Sequence, residues 1–130
     1  MKGLKEFIQI FEDEQQESAK IRSQLKFVIY REDGKVLDYL NDEEPFQKIV
    51  CNYYDDDKGI EIEFLIGRHD GFWKLWAGKP GVVNYSDDPY KDLETKSFTD
   101  ALNKSVDEAE KFINKVMDEP ENWVQFYVNN

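Results

Sequence analysis

The spacing of hydrophobic positions changes several times along this chain, and each change marks an element. Leu4, Phe7, Ile8 and Phe11, then Ala19, Ile21 and Leu25, recur at helical spacing on either side of the polar run 12–18. That stripe predicts an N-terminal helix. Phe7, Gln9 and Phe11 set against Ile8 and Ile10 would also suit the start of a strand. From Leu25 onward β-branched and aromatic residues take over. Segment 26–32 meets 35–40 across Asp33-Gly34, whose glycine suits the positive φ of a type I′ hairpin turn. A second hairpin is expected where 46–54 and 60–67 flank Asp55-Asp56-Asp57-Lys58-Gly59. Within it Ile60-Glu61-Ile62-Glu63-Phe64 alternates apolar with acidic, as a strand with one face in the core and one in water does. Turns at 68–71 and 78–81 bracket the strand 72–77 and lead into a further strand at 82–85.

After a loop at 86–96 comes the longest helical stripe: Phe98, Ala101, Leu102, Val106, Ala109, Phe112, Ile113 and Val116, with Pro120 as a stop. Ser105 with Glu108 could form a capping box and start the helix later. The unbroken stripe favours one helix from Phe98. The tail 123–128 is too apolar to remain in solvent and is expected to dock as a last strand or packed segment. The expected fold is a single α+β domain over residues 1–130: an antiparallel meander of five or six strands, with an N-terminal helix and a longer C-terminal helix packed on one face.

With 130 residues, 40% of them hydrophobic and 15% aromatic, the chain can bury one sizeable core without covalent staples. The lone Cys51 has no intramolecular partner and no apolar leader is visible, so the cytoplasm is the expected compartment. No apolar run approaches the roughly 20 residues that cross a bilayer. The net charge of −11 opposes attraction to phosphate backbones and anionic lipid, so neither nucleic acid nor membrane is an expected partner. The excess is uneven. Residues 86–130 hold eleven acids against five lysines, and the C-terminal helix places several of its own acids beside lysines. The unpaired acid is therefore expected in Asp87, Asp88, Asp92 and Glu94 before that helix and in Asp118, Glu119 and Glu121 after it.

Familiar catalytic arrangements are missing. His69 is the only histidine, and Cys51 lies in an apolar run where a thiol is inert, which leaves a weak Cys-His pair as the one nucleophilic arrangement. No His/Cys cluster has zinc spacing, and the 55–59 aspartates fail the calcium-loop pattern because glycine falls fifth and Ile66 twelfth. Glu61 and Glu63 share a strand face, but that face should be the exposed one. Gly78-Lys79-Pro80-Gly81 lacks the spacing of a phosphate-binding loop. No cofactor, no metal and no enzymatic activity are expected.

The aromatic section is the other candidate feature. On one strand Phe72, Lys74 and Trp76 face one way while Trp73, Leu75 and Ala77 face the other. One tryptophan belongs in the core. The other either lies under a helix at the sheet edge or serves, with Tyr90, as an exposed anchor. Together these features suggest a non-catalytic acidic module, monomeric or weakly dimeric, that binds a basic protein through Trp73 or Trp76, Tyr90 and the acids. An inhibitor or immunity protein neutralising a nuclease toxin has this physical profile. The alternative is a small-ligand or carbohydrate-binding domain that uses the aromatics as a stacking platform.

Overall fold

The fold was established from a computed structural model that describes residues 16–41 and 44–123. Residues 16–24 are helical (α1). Six strands follow: β1 Val28–Tyr30, β2 Val36–Leu37, β3 Lys48–Asp55, β4 Ile60–His69, β5 Phe72–Gly78 and β6 Lys91–Asp92. The long helix α2, Phe98–Asp118, comes after them. The strands form one sheet in the order β2-β1-β3-β4-β5-β6, every neighbouring pair antiparallel. This is the α+β architecture expected of the sequence. One turn in the path is not sequential: β3 pairs with β1 and not with β2, and Leu40, between β2 and β3 in the chain, is buried.

The two faces of the sheet are covered differently. On the face towards α2, Ile49, Cys51 and Tyr53 of β3, Ile60, Ile62, Phe64 and Ile66 of β4, and Trp73 and Leu75 of β5 join Phe98, Ala101, Ala109, Ile113 and Val116 of α2 in the main core. On the opposite face Val50, Leu65 and Trp76 form a small second cluster, covered by Tyr30, Val83 and Tyr85. The period of two along each strand sorts these residues to their sides. β4 lies between β3 and β5 with both faces packed, and every residue from Ile62 to Gly67 is buried, Glu63 included.

Several expectations are corrected. The strand expected at 82–85 does not form. The Lys79 carbonyl accepts from both Val82 N (3.0 Å) and Val83 N (3.1 Å), which folds the chain over the second cluster instead of along β5. The edge of β5 is taken by β6, inside the segment expected to be loop. Asp33-Gly34 is not a type I′ turn: Gly34 has φ +85°, but Asp33 is not left-handed. Gly34 N bonds to Arg31 O and Arg31 N to Lys35 O, both at 2.8 Å, which closes a three-residue loop. Asp70-Gly71 does have both φ angles positive, +55° and +83°, between the paired His69 and Phe72, as type I′ requires.

In α1, Ala19 is exposed and Ile21 half-buried, and Leu25 is buried just beyond the helix. The expected positions Leu4, Phe7, Ile8 and Phe11 lie outside the described residues, as does the tail from Val124. Trp123 belongs to a single helical turn at 120–123 and packs on Phe112 with ring centroids 6.0 Å apart. α2 begins at Phe98, where the Ser97 side chain accepts from Asp100 N, so the capping box at Ser105 is not used. Ser105 lies fully buried in mid-helix.

Candidate partner-binding surface

Both tryptophans are buried, which corrects their placement on a binding surface. Trp73 is 0% exposed, stacked on Phe46 at 5.7 Å and tilted against Phe98 at 5.1 Å. Trp76 is 4% exposed on the opposite face, with Tyr85 edge-on at 5.1 Å. The reason is packing on both sides of β5: α2 covers one face and the 79–85 segment the other. Each indole N–H finds a backbone acceptor, Trp73 at Lys96 O (3.2 Å) and Trp76 at Asp87 O (2.8 Å), as buried indoles do. An edge of Trp76 reaches a hollow of about 190 Å³ beside Phe46, Arg68, His69 and Tyr85. That is smaller than an ordinary ligand pocket, and neither Trp73 nor Trp76 has a flat face free to stack a sugar.

The two indole bonds belong to a strap. Tyr90 N bonds to Leu75 O (2.8 Å), Leu93 N to Trp73 O (3.1 Å) and Trp73 N to Thr95 O (2.9 Å), so residues 87–95 run back along β5 before entering α2. Asp87 and Asp88 are exposed at the far end of this strap, and Tyr90, 37% exposed, rests edge-on against Phe112 at 4.9 Å. The strap therefore flanks the C-terminal half of α2 and does not mark only its N-terminal end.

The acids of the strap are not equivalent. Asp92 pairs with Lys74 at 2.9 Å and also accepts from Glu94 N at 2.9 Å. The lysine beside it holds the Asp92 carboxyl below its usual range. Asp92 thus fastens the loop and supplies little free charge. Asp87 accepts from Asn84 N at 2.9 Å. Asp88, Glu94, Asp118, Glu119 and Glu121 are all exposed, and no described residue forms an ion pair with them.

Sequence reasoning missed one acidic group. Lys58 Nζ donates to Met117 O at 3.0 Å, tying the β3–β4 turn to the C-terminal end of α2. Asp55, Asp56 and Asp57 thereby join Asp118, Glu119 and Glu121 at one end of the molecule. Element lengths carried the signal. A 21-residue helix spans about 31 Å, and a ten-residue strand spans about 33 Å. A helix that starts beside Trp73 near the β4–β5 turn must therefore end near the β3–β4 turn. Between α1, that turn and the end of α2 lies a cleft of about 370 Å³ lined by Glu17, Lys20, Tyr54, Asp56, Asn114 and Met117, among others.

Conventional catalytic groups stay apart. Cys51 is 2% exposed, and burial pushes its thiol up to about 11. It pairs across the sheet with Phe64, five residues along β4 from His69, which is roughly 16 Å of strand. The His69 side chain is 71% exposed. Glu63, expected in solvent with Glu61, is 6% exposed and faces Lys48 at 3.8 Å, because the 79–85 segment covers that part of the outer face. Among the described residues no three acidic, histidine or cysteine side chains are arranged to hold a metal ion, and no helix is long and apolar enough to cross a membrane.

Comparison with known proteins finds no matching family model, no matching curated protein and no matching solved structure.

Proposed function

We propose that this chain is a non-catalytic binding module whose acidic end docks a basic protein, in the manner of an inhibitor or immunity-type protein. One observation carries the reading: acid is concentrated where it costs stability. The C-terminus of α2 already bears the negative end of the helix dipole, yet Asp118 ends it and Glu119 and Glu121 come just after. Anions on the last residue and the cap of α2, Asp118 and Glu119, are unfavourable by roughly 0.3–1 kcal/mol each. The Lys58 tie brings Asp55, Asp56 and Asp57 to the same end. A sequence that keeps charges against its own local preference does so where a partner uses them. A basic surface would relieve the repulsion on binding and be steered to it from a distance.

The test pairs stability with binding. Asp118→Asn, Glu119→Gln and Glu121→Gln together should raise the urea midpoint of the isolated protein. A basic protein captured at low salt and then purified should bind the wild type with an affinity that falls steeply as salt rises, and should bind the triple variant at least tenfold more weakly. Equal affinity for both proteins would end the proposal.

A further inference from the structure

α2 lies over β4 and β5, which leaves the same face of β3 to be covered by the chain entering from α1. Leu25 is 5% exposed there, and Ile21 and Phe27 pack on the same core, which includes Cys51 and Tyr53. The lateral edge of β3 is open as well. β1 pairs only with Lys48, Ile49 and Val50, so among the described residues no strand lies along this edge, the one opposite β4, from Cys51 to Asp55. Gln24, the last helical residue of α1, closes that edge: its Oε1 accepts from Tyr54 N at 3.4 Å, and its carbonyl accepts from the Cys51 thiol at 3.5 Å.

The bonds that hold α1 in place are polar. Arg22 Nη2 meets Asp107 Oδ1 at 2.6 Å and Arg22 Nε meets Glu110 Oε2 at 2.5 Å, while Ser18 Oγ donates to Glu110 Oε1 at 2.7 Å. The Arg22 and Asp107 side chains are 44% and 57% exposed. Within the described part of α1 no residue is fully buried. Glu110, which takes two of these ties, is 15% exposed, whereas Arg22 and Asp107 are open to water. A helix held by a few polar ties over a closely packed strand is the kind of element that opens well below the global unfolding free energy, and salt screens the exposed Arg22–Asp107 pair most.

We propose that α1 is an electrostatic latch, and that its release from Asp107 and Glu110 uncovers one face and the lateral edge of β3 while the rest of the sheet and α2 stay folded. Cys51, the only cysteine, lies directly beneath the latch and reports its opening.

The experiment follows the reaction of Cys51 with a disulfide reagent in the full chain as salt rises from about 20 mM to about 500 mM, over which the Debye length falls from about 20 Å to about 4 Å. The wild-type rate should rise roughly three- to tenfold. Arg22→Gln should react fast at low salt and respond little to more, and Arg22→Lys should fall between. Ser97→Ala, which loosens the start of α2 without touching the latch, serves as the control and should keep the wild-type salt response. A wild-type rate flat in salt overturns the proposal. So does a Ser97→Ala protein that reacts like Arg22→Gln, since Cys51 would then be reached by global unfolding.

Discussion

The ring of Tyr85 occupies the space that a side chain at position 67 would need. A Cβ built on Gly67 would stand 2.7 Å and 3.0 Å from two Tyr85 ring carbons and 3.1 Å from the Trp76 ring. Through that gap the Tyr85 hydroxyl reaches the end of the β3–β4 ladder, where it donates to Ile66 O at 2.7 Å and accepts from Ile49 N at 3.1 Å. One side chain from a connecting segment thus completes the pairing of two central strands, and an absent one makes room for it. Gly67→Ala should destabilise the protein by about 1–3 kcal/mol, because the ring is pinned by both bonds and cannot simply move aside. Urea unfolding checks this. In a Tyr85→Ala background the same change should cost much less, since close residues couple.

The same hydroxyl makes stability fall at high pH. Burial pushes the Tyr85 phenol up to about 12, against about 10 in an unfolded chain. The neutral form is favoured by folding, so its contribution is complete below pH 10 and is lost as pH rises through 12. Tyr85→Phe should lower stability at neutral pH by about 1–2 kcal/mol, since Ile49 N loses its partner. It should also flatten part of the decline above pH 10. Thermal unfolding at stepped pH, with both proteins side by side, measures the two effects. A decline of equal slope in the variant would assign the alkaline loss to other groups.

These residues also show how far the sequence could be read. Strict alternation in 60–64 and the α2 stripe announced a strand and the long helix, because periods of two and of 3.6 belong to those elements, but the alternation placed Glu63 in water and gave no sign that both faces of β4 are covered. The apolar run 82–85 was misleading, since two adjacent valines carry no period, and the turn before them sends the chain across the sheet. Position 67 gave no hint that it sits under an aromatic ring eighteen residues away in sequence. Of the proposed site, the exposed acids on either side of α2 were legible from composition. That one of Trp73 and Trp76 is core followed from the alternation, but that both are buried did not, because it depends on what covers each face of β5.

The two Asp-Gly dipeptides separate local preference from loop length. At Asp70-Gly71 the paired His69 and Phe72 leave two residues to turn the chain, and both must be left-handed. At Asp33-Gly34 the Asp33 carboxylate is held by Arg31 and accepts from Lys35 N at 3.1 Å, so the loop takes three residues and Asp33 keeps an ordinary φ. The Arg31 guanidinium lowers the Asp33 carboxyl to about 2. Asp70→Ala should cost about 1 kcal/mol, because alanine resists positive φ. Asp70→Gly should be neutral or stabilising. At position 33 the order should invert, with Asp33→Gly no better than Asp33→Ala, because the backbone there asks nothing special. A urea series of these four variants decides it.

Two serines of the last helix should respond to alanine with opposite signs. Ser97 has an extended backbone (φ −88°, ψ 127°), and its Oγ accepts from Asp100 N at 3.3 Å, which satisfies one of the free N–H groups at the start of α2. Removing that cap costs about 1 kcal/mol. Ser105 occupies the position where a capping box would have begun a shorter helix, but it is 0% exposed in mid-helix and its hydroxyl has no hydrogen-bond partner. A buried hydroxyl without a partner is unfavourable by about 1–3 kcal/mol, and serine is also a poorer helix former than alanine. Ser105→Ala should therefore raise the urea midpoint while Ser97→Ala lowers it, and the double variant should lie near the sum because the two sites are more than two turns apart. If both substitutions destabilised the protein, Ser105 would have to be making a bond in solution. If Ser97→Ala were neutral, the helix would not depend on its cap at Ser97.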